Sequence, residues 1–218
     1  MTIPALAPDI AAEHRLGLRP GAATAASATN APPRRFPRAS PLTVQVRQTR
    51  SGDSALLADI FARLSPASRR SRFLVPKWRL TAAELRYFTD IDHHDHEAVI
   101  ALTRLRAEPV GVARFVRDRD DPTSAEVAVE VVDAWQGRGV GSLLGRHLAL
   151  RARCEGVAQF TAVMSADNTR SQRLLRQLGA LTVVVRDGAT VEYRVALPSR
   201  APATPLGSGR PRVATGCA

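Results

Sequence analysis

Several features are scarce in this chain of 218 residues, and each scarcity excludes a class of protein. No apolar run approaches the roughly 18 residues that a membrane-spanning helix needs, so an integral membrane protein is not expected. The sequence has no compact apolar segment with a charged flank, so a secretory signal is not expected. The two cysteines, Cys154 and Cys217, are too few for a disulfide framework, which predicts a reducing, cytoplasmic environment.

Acidic residues are also scarce, and the formal net charge is +11. Residues 1–40 hold five arginines against two acids, and residues 198–218 hold three arginines and no acid. Both segments are rich in small residues and proline, which predicts disordered tails at 1–40 and 198–218 around one domain at 41–197. Because more than half of the excess charge lies in these tails, specific nucleic-acid binding is not expected.

The hydrophobic pattern of the domain predicts an α/β protein. Alternating apolar residues predict strands near 42–47, 98–105, 110–117, 125–132, 160–164, 181–185 and 191–197. Helical spacing predicts helices near 56–64, 81–88, 141–153 and 168–178. Pro66 is expected to end the first helix, Ser68–Lys77 to form a basic connector, and Gly179 to cap the last helix. The order of elements favours a largely antiparallel sheet.

The most informative segment joins the fourth predicted strand to the next helix, with the sequence Gln136-Gly137-Arg138-Gly139-Val140-Gly141. Glycines allow the backbone to approach a ligand closely, and the N–H groups of a helix N-terminus favour an anion. The segment lacks the lysine of a P-loop and the glycine spacing of a dinucleotide fingerprint. It predicts a pyrophosphate-binding turn, with a merely tight connection as the alternative.

Two motifs resemble those of the GCN5-related N-acetyltransferase (GNAT) superfamily: Gln136-x-x-Gly139-x-Gly141, and Asn168-x-x-Ser171 followed by Leu178-Gly179-Ala180. The resemblance covers about residues 42–197. It implies the GNAT fold, an α/β fold with a mixed, mostly antiparallel sheet, splayed fourth and fifth strands and flanking helices. It also implies an N-acetyltransferase that moves an acetyl group from acetyl-CoA to an amine by direct attack in a ternary complex.

The resemblance also implies which residues bind acetyl-CoA. They are Val129, Glu130, Val131, Gln136, Gly137, Arg138, Gly139, Val140, Gly141, Ser142, Asn168 and Ser171. Of these, Val129 to Val131 are expected to contribute backbone groups. Asn168 also has an alternative role as a helix N-cap, and the two roles are compatible.

Residues near 68–73 and 90–101, together with the sequence before the glycine loop, resemble the bacterial protein lysine acetyltransferase branch. In that branch the glutamate at the position of Glu126 is the general base, and Glu130, four residues further along and on the same face of the strand, is the alternative. Leu175 stands where many members have a tyrosine acid. Water, the departing thiolate or Tyr193 remain as sources of the acid, although packing is the alternative role of Tyr193.

The expected acceptor is a protein lysine, with a small-molecule amine as the alternative, and a non-catalytic acyl-CoA-binding homologue as a further one. No membrane partner is expected, and the chain is predicted to be a monomer or a homodimer. Asp90–Glu97 holds metal-ligating residue types at consecutive positions, which favours a solvated loop, so no metal site is predicted. Cys154 is expected to be buried. One basic cluster contains aromatic residues and is interpreted as a wall of the acceptor site: Arg69, Arg70, Arg72, Phe73, Trp78 and Arg79.

Overall fold

The computed structural model describes residues 44–198, so the tails predicted at 1–40 and 198–218 lie outside the described residues except for Pro198. Seven strands form one sheet, in the spatial order β1-β2-β3-β4-β5-β7-β6. The strands are β1 (Val44–Gln48), β2 (His96–Thr103), β3 (Pro109–Arg117), β4 (Ser124–Val131), β5 (Gln159–Ser165), β6 (Ala180–Asp187) and β7 (Thr190–Ala196). The described residues also form five α-helices: α1 (Ser54–Ala62), α2 (Pro66–Phe73), α3 (Ala82–Thr89), α4 (Val140–Cys154) and α5 (Thr169–Arg176).

The neighbouring strands β4 and β5 are the one parallel pair, and they separate soon after they meet. Every other pair in the sheet is antiparallel. The pairing of β4 with β5 covers three residues and ends where Glu126 meets Thr161. Both strands continue beyond that point. The predicted fold, a mostly antiparallel sheet with splayed fourth and fifth strands, is therefore confirmed.

Helices cover the two faces of the sheet. Because side chains alternate along a strand, successive residues pack against opposite layers of helices. Helices α4 and α5 pack on one face, where Val127 of β4 joins a large apolar core. Helices α1 to α3 pack on the other face around a smaller core that includes Ile100 and Val112. Because Val112 is paired with Glu130 across the strands, Glu126 and Glu130 share this second face.

The segment predicted to be a connector is largely helical, which corrects the interpretation of Pro66. Helix α1 ends at Ala62, and Pro66 begins α2 instead of only terminating its predecessor. Proline is tolerated at the first position of a helix because the N–H it lacks would have no partner there. Ser65 caps the new helix, and its hydroxyl accepts a hydrogen bond from the Ser68 N–H.

Two further predictions from the sequence are wrong. Gly179 lies beyond Gln177, the C-terminal cap of α5, and is not among the glycines with a positive φ angle. Cys154 is exposed at the end of α4, not buried. Within residues 44–198, no helix has both the length and the apolar character needed to cross a membrane.

Candidate active site

The backbone of β4 faces the gap that opens between β4 and β5. The Val132 N–H donates to the Val110 carbonyl, so β4 residues of even number bond to β3. Val129 and Val131, which lie beyond the last residue paired with β5, therefore direct their backbone groups away from β3, toward the gap. This agrees with the cofactor contacts expected of these two residues.

The backbone contact predicted for Glu130 is wrong for the same reason. Glu130 is paired with Val112 in the β3–β4 ladder and has the parity that directs its backbone groups to β3. A backbone group already bonded within the sheet cannot also bind a ligand in the gap. Only the side chain of Glu130 is left to act in a site.

The glycine loop ends at the first residue of α4, next to the gap. Gly137 and Gly139 have φ angles of 72° and 89°, a left-handed conformation that glycine adopts without strain. A Cβ atom built on Gly137 would meet no atom within 4 Å, so the space beside this backbone is open. The N–H groups of Val140, Gly141 and Ser142 belong to the first turn of the 15-residue helix, where no intrahelical acceptor exists. These features fit a bound pyrophosphate.

The side chain of Gln136 holds the glycine loop in place. Its Nε2 donates to the Val131 carbonyl at 2.9 Å and to the Ser68 hydroxyl at 3.1 Å. Its Oε1 accepts a hydrogen bond from Arg170 of α5. Gln136 thus joins the end of β4, α2 and α5, and its contact with the cofactor stays a prediction.

Arg138, Ser142, Asn168 and Ser171, which are also predicted to bind the cofactor, each contact another residue of the protein. The guanidinium of Arg138 lies 4.9 Å from the ring centre of Trp135, and the Ser142 hydroxyl donates to Gln177. The Asn168 side chain accepts a hydrogen bond from the Ser171 N–H at 3.1 Å. The N-cap role considered for Asn168 is therefore confirmed.

The turn between β4 and the loop is fastened to α2 by Asp133. Its carboxylate accepts hydrogen bonds from the Ser65 N–H, the Ser65 hydroxyl and the Ser68 hydroxyl, at 2.8 to 2.9 Å. Burial opposes ionisation of this carboxyl group, but the hydrogen bonds outweigh it and hold the pKa of Asp133 below its usual value. A charged Asp133 therefore couples the position of α2 to that of the glycine loop.

The two candidate bases share one face of β4 but differ in their surroundings. Glu126 is half-buried and is the last β4 residue in register with β5, at the point where the gap begins. Glu130 is 8% exposed, and its carboxylate accepts a hydrogen bond from the Arg72 Nε at 2.7 Å. Both side chains of this ion pair are buried. The structure thus places Glu130 in a buried ion pair with α2, and Glu126 beside the gap.

Three side chains that the sequence analysis did not single out surround these glutamates. Arg114 of β3 is 2% exposed, its guanidinium lies 3.7 Å from the Phe88 ring centre, and burial lowers its pKa to about 10. Burial raises the pKa of Tyr87, and the nearby charge of Arg114 opposes this shift. Burial lowers the pKa of His96 to about 3, so this imidazole, 5.0 Å from the Tyr87 ring, is neutral at pH 7. Of the three, Arg114 could have been noticed from the sequence, because it interrupts an otherwise apolar strand.

Neither Leu175, which occupies the usual position of a tyrosine acid, nor Tyr193 offers an acid at the gap. Leu175 is 3% exposed and Tyr193 is 5% exposed, and both belong to the apolar core beneath α4 and α5. The packing role considered for Tyr193 therefore agrees with its location.

The loop that begins at Asp92 is ordered by backbone N–H groups donating to that carboxylate, and no cluster suited to a metal ion is present among residues 44–198.

Known proteins are similar to this chain in sequence and in fold. The GCN5-related acetyltransferase family model, described as "Acetyltransferase (GNAT) family", matches residues 61–180. The acetyltransferase PA5475 of Pseudomonas aeruginosa is 34% identical over 157 residues, which cover 71% of this chain and 84% of the relative. The acetyltransferase Pat of Mycolicibacterium smegmatis is 37% identical over 103 residues, 47% of this chain, and the match spans only 31% of Pat.

Solved structures agree with these matches. The GNAT domain of PAT from S. lividans has a TM-score of 0.65 at 28% identity, covering 71% of this chain and 90% of that domain. The acetyltransferase yncA of Salmonella typhimurium, solved with acetyl-CoA, has a TM-score of 0.59 at 20% identity, covering 73% of this chain and 97% of that one. At this low identity, the similarity to yncA shows the fold alone. With the family model matched over more than half of its length, the chain belongs to the GNAT family of acetyltransferases.

Proposed function

We propose that this chain transfers the acetyl group of acetyl-CoA to a lysine side chain of an acceptor protein, with Glu126 as the general base. The observation that supports it is the position of Glu126, at the residue where β4 leaves β5 and on the face covered by α1 to α3. The resemblance of residues 68–73 and 90–101 to the bacterial protein lysine acetyltransferase branch favours a protein acceptor. A small-molecule amine is the alternative acceptor.

The acetyl transfer needs a base because a lysine amine is an ammonium ion at neutral pH and must lose a proton before it can attack. A half-buried carboxylate at the mouth of the gap can accept that proton directly or through one water molecule. The carboxylate of Glu130 is buried and accepts a hydrogen bond from the Arg72 Nε of α2. Glu130 and Arg72 are better assigned to holding α2 against the sheet.

Members of this family use acetyl-CoA, which supplies an acetyl thioester that the neutral amine attacks. In this chain the residues suited to hold it are of two kinds. Val129 and Val131 present backbone groups along the gap. The first turn of α4 and the left-handed glycines before it present N–H groups to the pyrophosphate.

Gly137→Ala tests the proposed cofactor loop, with Gly156→Ala as a matched control. Both glycines have positive φ angles, 72° and 82°, and an added Cβ meets no atom within 4 Å at either position. Both variants should therefore lose a similar 1–2 kcal/mol of stability, roughly the cost of a left-handed alanine. Only Gly137→Ala should weaken acetyl-CoA binding, by about tenfold, measured by titration calorimetry. Equal affinities in the two variants would remove the loop from the binding site.

The acceptor class is tested by following thiol release from acetyl-CoA with either pooled cellular protein or a polyamine as acceptor. Acceleration by protein, with acetyl-lysine detected by mass spectrometry, is the expected result. Acceleration by the polyamine alone would favour the small-molecule alternative. No release, while acetyl-CoA still raises the midpoint of thermal unfolding, would favour a non-catalytic acyl-CoA-binding protein.

A further inference from the structure

The loop between α2 and α3 exposes a tryptophan although the loop itself is firmly held. Trp78 is 82% exposed. Its carbonyl accepts a hydrogen bond from the Arg69 guanidinium, and the preceding Lys77 forms an ion pair with Glu84 at 2.6 Å. At the end of α2, just before the loop, Phe73 is fully buried against Phe61. The exposed indole is thus displayed by an anchored segment.

The segment that carries this indole is strongly basic. Residues 66–89, which contain α2, the loop and α3, hold six basic residues and one acidic residue, Glu84. Three of the six are already engaged within the described structure: Arg69 by backbone carbonyls, Arg72 by Glu130, and Lys77 by Glu84.

The other three basic side chains of this segment are Arg70, Arg79 and Arg86. They are exposed and form no ion pair with any residue of 44–198. An uncompensated positive charge beside an exposed tryptophan matches the composition of binding hot spots, which are enriched in tryptophan and arginine. We call Trp78, Arg70, Arg79 and Arg86 the basic indole patch.

The patch is connected to the candidate active site through α2. Arg72 of this helix contacts Glu130 of β4, and Ser68 of the same helix contacts both Asp133 and Gln136 of the loop that follows β4. A partner bound at the patch would therefore rest on the helix that borders the strand bearing Glu126.

We propose that the basic indole patch docks an acidic segment of the acceptor protein, next to the lysine that is acetylated. This inference rests on the proposed function, and it adds the chemistry of the acceptor. Charge complementarity selects an acidic partner, because the arginines attract carboxylates and repel basic sequence. The tryptophan adds apolar contact area at a low entropic cost.

Two synthetic peptides test the docking, one with a single lysine flanked by aspartate and glutamate, the other with the same lysine flanked by serine and alanine. The wild-type chain should acetylate the acidic peptide with a kcat/KM at least about tenfold higher, and added salt should reduce the difference. Trp78→Ala and the double variant Arg70→Ala/Arg79→Ala should each remove most of that preference.

Leu105→Ala is the matched control, because Leu105 is also an exposed apolar side chain, at 99%, but lies in the turn between β2 and β3. It should keep the full preference for the acidic peptide. Equal rates for the two peptides in the wild type, or an unchanged preference in the Trp78→Ala variant, would overturn the docking site.

Direct binding separates failure of the docking from failure of the proposed function. The acidic peptide with its lysine replaced by alanine is titrated into the wild type, Trp78→Ala and Leu105→Ala by calorimetry. Binding that is lost only in Trp78→Ala would support the docking even if no peptide is acetylated. Tighter binding of a single-stranded oligonucleotide at the same patch would overturn it in favour of a nucleic-acid site.

Discussion

Replacing Glu126 with glutamine is expected to lower kcat for acetyl transfer by about 10²- to 10⁴-fold, the usual contribution of a general base. Glutamine has nearly the same size but cannot accept the ammonium proton of the acceptor. Binding of acetyl-CoA is expected to change little, because the proposed cofactor contacts come from backbone groups of β4 and the glycine loop. Steady-state thiol release and calorimetric titration of acetyl-CoA measure the two effects separately.

Glu130→Gln is the control for this experiment, since Glu130 lies on the same face of the same strand. Its carboxylate is paired with Arg72, so the substitution should reduce thermal stability while the folded fraction keeps most of its kcat. The opposite ranking, with kcat lost in Glu130→Gln and retained in Glu126→Gln, would transfer the role of base to Glu130. Loss in neither variant would assign proton removal to solvent.

Gly179→Ala is expected to lower the free energy of unfolding by at least about 3 kcal/mol. A Cβ atom at Gly179 would lie 1.9 Å from the Ala196 carbonyl oxygen and 3.3 Å from Cγ1 of Val195. The clash is with the backbone of β7, which cannot move without breaking its pairing with β6 at Ala180. For a domain of this size the midpoint of thermal unfolding should fall by about 6–12 °C, measured by calorimetry.

Gly52→Ala provides the comparison for Gly179→Ala. A Cβ at Gly52 meets no atom within 4 Å, and its backbone lacks the left-handed conformation that would strain alanine. Its midpoint of unfolding should change by only about 1–2 °C, as is usual for an exposed surface substitution. If Gly179→Ala were equally mild, the close approach of the segment between α5 and β6 to the end of β7 would be incorrect.

The glycine loop and the order of elements could be predicted from the sequence because both are recorded in neighbouring residues. Alternation of apolar residues determines a strand face, and the glycines of 137–141 mark a turn that enters a helix. The same alternation placed Glu126 and Glu130 on one face, as the structure has them. Helix α2 was missed because the sequence around Pro66 is compatible with both the end of one helix and the start of another.

The roles of the two glutamates could not be separated from the sequence. Glu130 acquires its partner from Arg72, 58 positions earlier in the chain, when α2 packs on the sheet. The burial of Arg114 against Phe88 likewise requires α3 to cover β3. The direction of each backbone group of β4 depends on its register with β3, which no local pattern specifies.

By itself, the sequence determined the family, the glycine loop and the face of β4 on which the candidate bases lie, because periodicity and motif spacing are local properties. Only the tertiary structure decided that Glu130 pairs with Arg72, which backbone groups face the gap, and why Gly179 has no side chain. Each of these depends on contacts between elements far apart in the chain, and such contacts exist only after the sheet and its helices have packed.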